Sequence, residues 1–235
     1  LFKGTEKKLI IWVSLEEGSL YVDFLYDASE LGLEKWVLTT HQKLRTQFGL
    51  EHNPTFKVLS RDHGRFFTEN VQTELFSLNL DAHYNNDFKA VHQTIEQSIN
   101  EKRSGLILLH GLPGTGKTSY IKYLISKFEK NNFIFIQNEF INELLLPDFI
   151  SFLLKHKDSI LIIEDAEKVI STREYSSESS VVSTILQLTD GLFSDYLNIK
   201  VICTFNTSIE KIDTALLRKG RMIVNYEFLA LEKQK

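Results

Sequence analysis

The sequence has 235 residues, 43% hydrophobic and 25% charged, enough chain for one large domain or two modest ones with genuine cores. Its net charge of −4, with acids and bases mixed along the chain, excludes the basic stripe of a nucleic-acid binder and the basic amphipathic helix of a membrane-surface protein. Apolar runs such as Ile160–Ile163 are far too short to cross a bilayer. The single cysteine, Cys203, leaves no internal disulfide framework and fits a reducing compartment, so the expected location is cytoplasmic. Cys203 lies in an apolar run and reads as a buried, inert thiol. The chain opens on Leu1 and its only methionine is Met222. It is therefore expected to be a segment of a longer protein, from which a targeting peptide could have been lost.

Residues 1–80 are expected to form a small α+β domain. Leu9–Leu15 and Leu20–Tyr26 are β-rich runs separated by Glu16-Glu17-Gly18-Ser19, a hairpin signal. Ala28–Phe48 has helical spacing, with Leu31, Trp36, Leu44 and Phe48 as the inward residues. Phe56–Leu59 and Arg65–Thr68 flank Asp62-His63-Gly64 and predict a second hairpin. His41, His52 and His63 have no carboxylate or cysteine at ligand spacing, so surface or turn roles are expected.

Residues 81–235 read as a second domain of alternating strands and helices. Phe88–Asn100 spaces Val91, Ile95 and Ile99 for one helix face, Leu106–His110 is a buried strand, and Thr118–Phe128 is a helix. Phe133–Ile136, Ile160–Ile163 and Lys200–Thr204 are further continuous apolar strands. Continuous rather than alternating runs imply burial on both faces, as in a parallel sheet covered by helices. Ser171–Ser180 is polar and serine-rich and predicts a surface loop.

Gly111-Leu-Pro-Gly-Thr-Gly-Lys117-Thr118 fits the pattern GxxxxGK[ST], with a strand before it and a helix after it. The glycines let successive N–H groups turn toward phosphate oxygens, and the following helix N-terminus adds partial positive charge. Lys117 is placed to neutralise β- and γ-phosphates, and the Thr118 hydroxyl to ligate Mg²⁺. The strand Ile160–Ile163 ends in Glu164-Asp165, at the strand end where open α/β sheets bind ligands. Paired acids at a buried strand end are rare without a cation nearby, because unpaired buried charge is costly; the alternative is a solvated acidic turn, since Glu167 also follows. One acid can hold Mg²⁺ through water while the other orients or deprotonates the attacking water. The next buried strand ends in Asn206, which alone reads as a turn residue but can also hydrogen-bond an attacking water or a γ-phosphate. Arg218 and Arg221 flank Gly220. Alone they read as a surface charge patch; near a phosphate they can stabilise transition-state charge.

Taken together, these motifs resemble the AAA family (AAA+ superfamily) of P-loop ATPases. The resemblance rests on Walker A at 111–118, a Walker B-like strand at 160–165, Asn206 after the next strand, and Asp213…Arg218-x-Gly-Arg221. Thr207–Arg221 is similar to the second region of homology of that family. The resemblance covers residues 81–229. It implies the AAA large subdomain, ATP and Mg²⁺ as cofactors, an ATP site at a subunit interface, and a homo-oligomeric ring. By position it implies that Gly111, Pro113, Gly114, Thr115, Gly116, Lys117, Thr118 and Ser119 bind nucleotide and that Asn206 is sensor 1. Arg218 and Arg221 would be fingers reaching a neighbour's ATP. Thr118 and Glu164 are the expected metal side and Asp165 the expected water-activating side, with the reverse assignment of the acids left open. The helical lid of an AAA module, with its sensor 2 arginine, would begin where this chain stops at Lys235.

Most AAA strands end Asp-Glu, whereas this one ends Glu164-Asp165. The swapped order is similar to the branch that includes the mitochondrial factor translocating the Rieske protein, as is Leu186-x-x-x-Asp190-Gly191. Gln137–Leu146 stands where threading members carry an aromatic-hydrophobic-Gly pore loop, yet it offers Phe140-Ile141 and no glycine. The leading expectation is an oligomeric ATPase that remodels a protein client. The alternatives are a slow-hydrolysing scaffold or switch, and a nucleic-acid motor that the acidic charge opposes.

Overall fold

The computed structural model describes residues 2–3, 8–16, 19–30, 32–48, 53–144, 146–166, 185, 188–189, 192–206 and 221–232. The expected loop 171–180, the segment 207–220 with Asp213 and Arg218, and Leu186, Asp190 and Gly191 lie outside them. So do Leu31, His52 and, from the predicted hairpin signal, Glu17 and Gly18. The chain divides into two compact units, Leu1–His52 and Asn53–Lys235.

The first unit is a small α+β region. Strands β1 (Phe2–Lys3), β2 (Leu9–Glu16) and β3 (Ser19–Tyr26) form an antiparallel sheet, and α1 follows at Leu33–Phe48. The predicted hairpin is in register from Leu9↔Tyr26 to Glu16↔Ser19. The predicted inward face of α1 differs from the observed one. Leu33 and Val37, one helical turn apart, pack on Leu9 with Ile11, Phe24 and Tyr26, whereas Trp36 and Phe48 are exposed and Leu44 is half-buried. Among the described residues only the first turns of α1 join this cluster, and helical spacing toward its C-terminus finds no described sheet residue to cover.

The second unit is built on one seven-stranded sheet. Its strands are β4 (Thr55–Asp62), β5 (Arg65–Gln72), β6 (Gly105–Gly111), β7 (Asn132–Phe135), β8 (Ser159–Ile163), β9 (Lys200–Phe205) and β10 (Met222–Phe228), in the order β10-β6-β9-β8-β7-β4-β5. All pairings are parallel except β4 with β5. The hairpin of residues 55–72, expected within a domain ending at residue 80, therefore extends this sheet. Lys57 and Val58 pair with Ile134 and Phe135. Strand β7, which would otherwise be the edge, thus has partners on both sides instead of exposing its backbone groups.

Every residue of β6, β8 and β9 is buried, as their unbroken apolar runs predict. The side chains alternate between two cores. Leu106, Leu108, Leu161, Ile163, Val201 and Cys203 enter one, with Phe149, Phe152 and Leu153 of α5 (Pro147–Lys155) and Leu197 of α6 (Leu192–Leu197). Ile107, Leu109, Ile160, Ile162 and Ile202 enter the other, with Phe88, Ile95 and Ile99 of α3 (Phe88–Asn100; α2 is Leu80–His83) and Tyr120 and Leu124 of α4 (Lys117–Lys127). Each fully buried Leu or Ile contributes roughly 1.5–3 kcal/mol relative to exposure, so helices on both faces hold the strand ends in place. Cys203 is wholly buried and burial pushes its thiol pKa up, which makes it the inert thiol expected. No helix among the described residues is long and apolar enough to cross a membrane.

Candidate nucleotide site

Register brings the motifs together. Leu108 pairs with Cys203 and Cys203 with Ile163, so the carboxyl ends of β6, β9 and β8 lie side by side. Ligands of open α/β sheets bind at such ends. The Gly111–Ser119 turn leaves β6, Glu164-Asp165 leaves β8, and Asn206 leaves β9.

The turn has a shape that only its own residues allow. Gly111 has φ 135°, and a Cβ there would collide with the carbonyl of Phe228 on the neighbouring strand. Gly116 has φ 96° at the N-cap of α4, and a Cβ would stand 2.9 Å from the ring of Tyr84. The Thr115 hydroxyl donates to the Leu112 carbonyl at 2.8 Å and ties the turn across itself. Lys117 is buried, and its ammonium donates to the carbonyls of Gly111 (2.7 Å) and Leu112 (2.9 Å). The cation thus sits inside the turn. Pro113 and Gly114 are exposed at the tip, and Ser119 is half-buried in the first turn of α4. His110, one residue before the turn, is buried without a partner for Nδ1 among the described residues. Burial holds its pKa below the ordinary imidazole value.

The two acids have different partners. The Thr118 hydroxyl donates to Glu164 Oε1 at 2.8 Å. The Asn206 amide donates to Asp165 Oδ1 at 2.5 Å. Asp165 has φ 51°, a left-handed conformation that Asp tolerates better than most residues. Thr204, buried on β9, holds it there. Its hydroxyl accepts from the Asp165 N–H at 3.2 Å and its carbonyl from the Ala166 N–H at 3.0 Å. No sequence motif pointed to Thr204, whose contribution depends on strand register.

Among the described residues no three His, Cys, Asp or Glu side chains are grouped to hold a metal. The hydroxyl of Thr118 and the carboxylate of Glu164 are a small, all-oxygen donor set. That set suits a hard cation such as Mg²⁺, which keeps several waters and takes its remaining ligands from substrate phosphates.

Arg221 does not join this group. It precedes β10, and its carbonyl accepts from the Leu106 N–H at 2.9 Å. Phe228, which abuts Gly111, is at the other end of that strand. Six strand residues separate the two ends by roughly 20 Å. Arg218 lies outside the described residues.

The profile of the ATPase family associated with various cellular activities (AAA) matches residues 107–229, just over half the chain. The chain belongs to this family. It is 34% identical over 148 residues to a 26S proteasome regulatory subunit 8 homolog of Encephalitozoon cuniculi, covering 58% of this chain and 38% of that protein. It is 32% identical over 126 residues to a proteasome-activating nucleotidase of Aeropyrum pernix, covering 49% and 31%. It is 31% identical over 134 residues to an AAA-ATPase of Arabidopsis thaliana, covering 50% and 25%. The chain thus spans well under half the length of these AAA relatives. The matched region runs from β6 to just beyond β10 and takes in the nucleotide turn, both acids and Asn206.

Proposed function

We propose that this AAA chain binds Mg·ATP on Gly111–Ser119 and hydrolyses it within a homo-oligomeric ring, and that turnover remodels a protein client. The observation that carries the hydrolytic reading is the division of labour at the end of β8. Glu164 is bonded to the Thr118 hydroxyl and Asp165 to the Asn206 amide, so one acid faces the phosphate cradle and the other a polar strand end.

In this reading Lys117 gives up its two loop carbonyls for β- and γ-phosphate oxygens, while the N–H groups of the turn and of α4 cradle the rest. Thr118 and Glu164 would hold Mg²⁺, which when bound neutralises phosphate charge. Asp165 accepts a proton from the attacking water, and Asn206 orients that water against the carboxylate. Arg221, a strand's length from its own cradle, serves a neighbour's γ-phosphate, and the motif assigns Arg218 the same role. The Glu164-Asp165 order supports kinship with the branch that includes the mitochondrial Rieske-protein translocase. Relatives named for the proteasome support a protein client, and the buried free thiol of Cys203 supports a reducing, cytoplasmic setting.

A second reading, a slow nucleotide-dependent switch, is favoured by one specific observation. The segment where threading members carry a pore loop is tied down. Asn138–Glu143 is a 3₁₀ turn whose Ile141 is buried and whose Phe140 ring packs edge-on to Phe66 of β5 at 6.0 Å. Glu143 is ion-paired with Arg61 of β4. The added hairpin holds a segment that a threading machine would leave free. Steady-state turnover of the intact oligomer decides between the two: measurable hydrolysis abolished by Asp165→Asn, with ATP retained, is expected for the motor. An oligomer that retains ATP tightly and turns it over only slowly is the switch.

A further inference from the structure

The phosphate turn rests on a residue that no motif contains. Tyr84 lies between α2 and α3, 4% exposed, with its ring 4.6 Å from that of Phe88 and 5.4 Å from that of Phe228. Its hydroxyl donates to the Gly116 carbonyl at 2.9 Å. The same carbonyl accepts the Tyr120 N–H at 2.9 Å, the first hydrogen bond of α4, so both of its lone pairs are engaged.

That carbonyl belongs to the peptide whose N–H is that of Lys117. The peptide is planar and trans, so its N–H points opposite to its C=O. A carbonyl directed along α4 toward Tyr120 sends the Lys117 N–H out of the helix N-terminus, where an anion is received. A donor on the carbonyl also polarises the peptide and strengthens the N–H as a donor at its other end. The ring supplies a second constraint, because Gly116 has no room for a Cβ against it. Phe228, a neighbour of Tyr84 in the same aromatic cluster, closes on Gly111 through its backbone. One buried cluster therefore sets both ends of the turn.

We propose that Tyr84 is a positioning residue for nucleotide binding, acting through the Gly116–Lys117 peptide to aim and strengthen the Lys117 N–H toward phosphate. This rests on the P-loop reading above. Burial pushes the Tyr84 hydroxyl pKa up to about 12, so the group remains a donor at neutral pH.

The test is Tyr84→Phe in the full chain, which keeps the ring and removes the donor. KM for ATP is expected to rise about three- to tenfold, the range of one neutral hydrogen bond, with kcat within about twofold, as for loss of uniform binding. The Lys117 amide proton in the ATP complex should move upfield. An unchanged KM and amide shift overturn the inference, and so does a parallel fall in kcat and thermal stability, which would mark a merely structural residue. Should the Phe variant not fold, 3-fluorotyrosine at position 84 decides, being a stronger donor of nearly the same shape. It should lower KM, and no change or a rise refutes the role. Lys117→Ala separates the two levels: if it binds ATP like the parent, the P-loop reading itself fails, whatever position 84 does.

Discussion

In the proposed mechanism, the phosphate side and the water side of the site are built from different materials. On the phosphate side the geometry is backbone geometry, set by Gly111 against the Phe228 carbonyl and Gly116 against the Tyr84 ring. A side chain at Gly111 would have to displace the β10 backbone at Phe228, and one at Gly116 the buried ring of Tyr84. On the water side the geometry is a side-chain contact, Asp165 to Asn206, on a residue that Thr204 holds in a left-handed conformation. A shape fixed by packing resists change, whereas a contact between two short polar side chains can be retuned by one methylene. Nucleotide affinity and turnover should therefore respond separately to substitution.

The largest separation is expected at Arg221. Arg221→Ala should lower turnover about 10³-fold or more, the scale of arginine-finger losses, with ATP affinity nearly intact because the residue is a strand's length from its own cradle. Mixing Arg221→Ala with Asp165→Asn subunits should restore part of the activity, since some interfaces then carry an intact residue on each side. A monomer that hydrolyses ATP at the full rate would contradict the shared site. Asp165→Asn alone should cost about 10²–10⁴-fold in kcat, the usual range for a general base, and retain ATP. If it turns over normally while Glu164→Gln is inactive yet binds Mg·ATP, the acids have the opposite roles. Lys117→Ala should act on the other side, weakening ATP on the order of a hundredfold through lost charge-assisted bonds while the fold survives. Calorimetric titration with Mg·ATP checks this.

How much of this was legible in the sequence follows the same division. The glycines, Lys117 and Thr118 announce their geometry because few residue types can occupy it. The unbroken apolar run Leu106–Leu109 announces a two-faced core, which Leu106 and Leu108 on one side and Ile107 and Leu109 on the other fill. Tyr84 was silent, since an aromatic ahead of an amphipathic helix looks like any core residue until the fold carries it to Gly116. The hairpin 55–72 was legible as a hairpin, but its docking on β7 depends on a partner strand distant in sequence. In α1 the spacing gave a helix, but which stripe is buried depended on how far a three-stranded sheet reaches beneath it.

The smallest effect, and the sharpest probe of the comparison, is expected from restoring the common acid order with Glu164→Asp plus Asp165→Glu. Glu reaches about 1.5 Å farther than Asp, so the longer acid at position 165 could meet the attacking water without an intervening one and raise kcat. Two observed features oppose that gain. The shortened side chain at position 164 would withdraw from the Thr118 hydroxyl, which is 2.8 Å from Glu164 in the parent, so the Mg²⁺ concentration for half-maximal rate should rise. Position 165 has φ 51°, and Glu is less tolerant of that conformation than Asp, at a cost on the order of 1 kcal/mol. The net expectation is a kcat within about threefold of the parent, a higher Mg²⁺ requirement and a melting temperature lower by a few degrees. The single variant Asp165→Glu should show the melting shift without the Mg²⁺ shift, because Glu164 keeps its hydroxyl. A tenfold or greater rise in kcat at unchanged stability would mean that the backbone at 165 relaxes freely, and that its left-handed conformation sets no limit on how far the water side can be retuned.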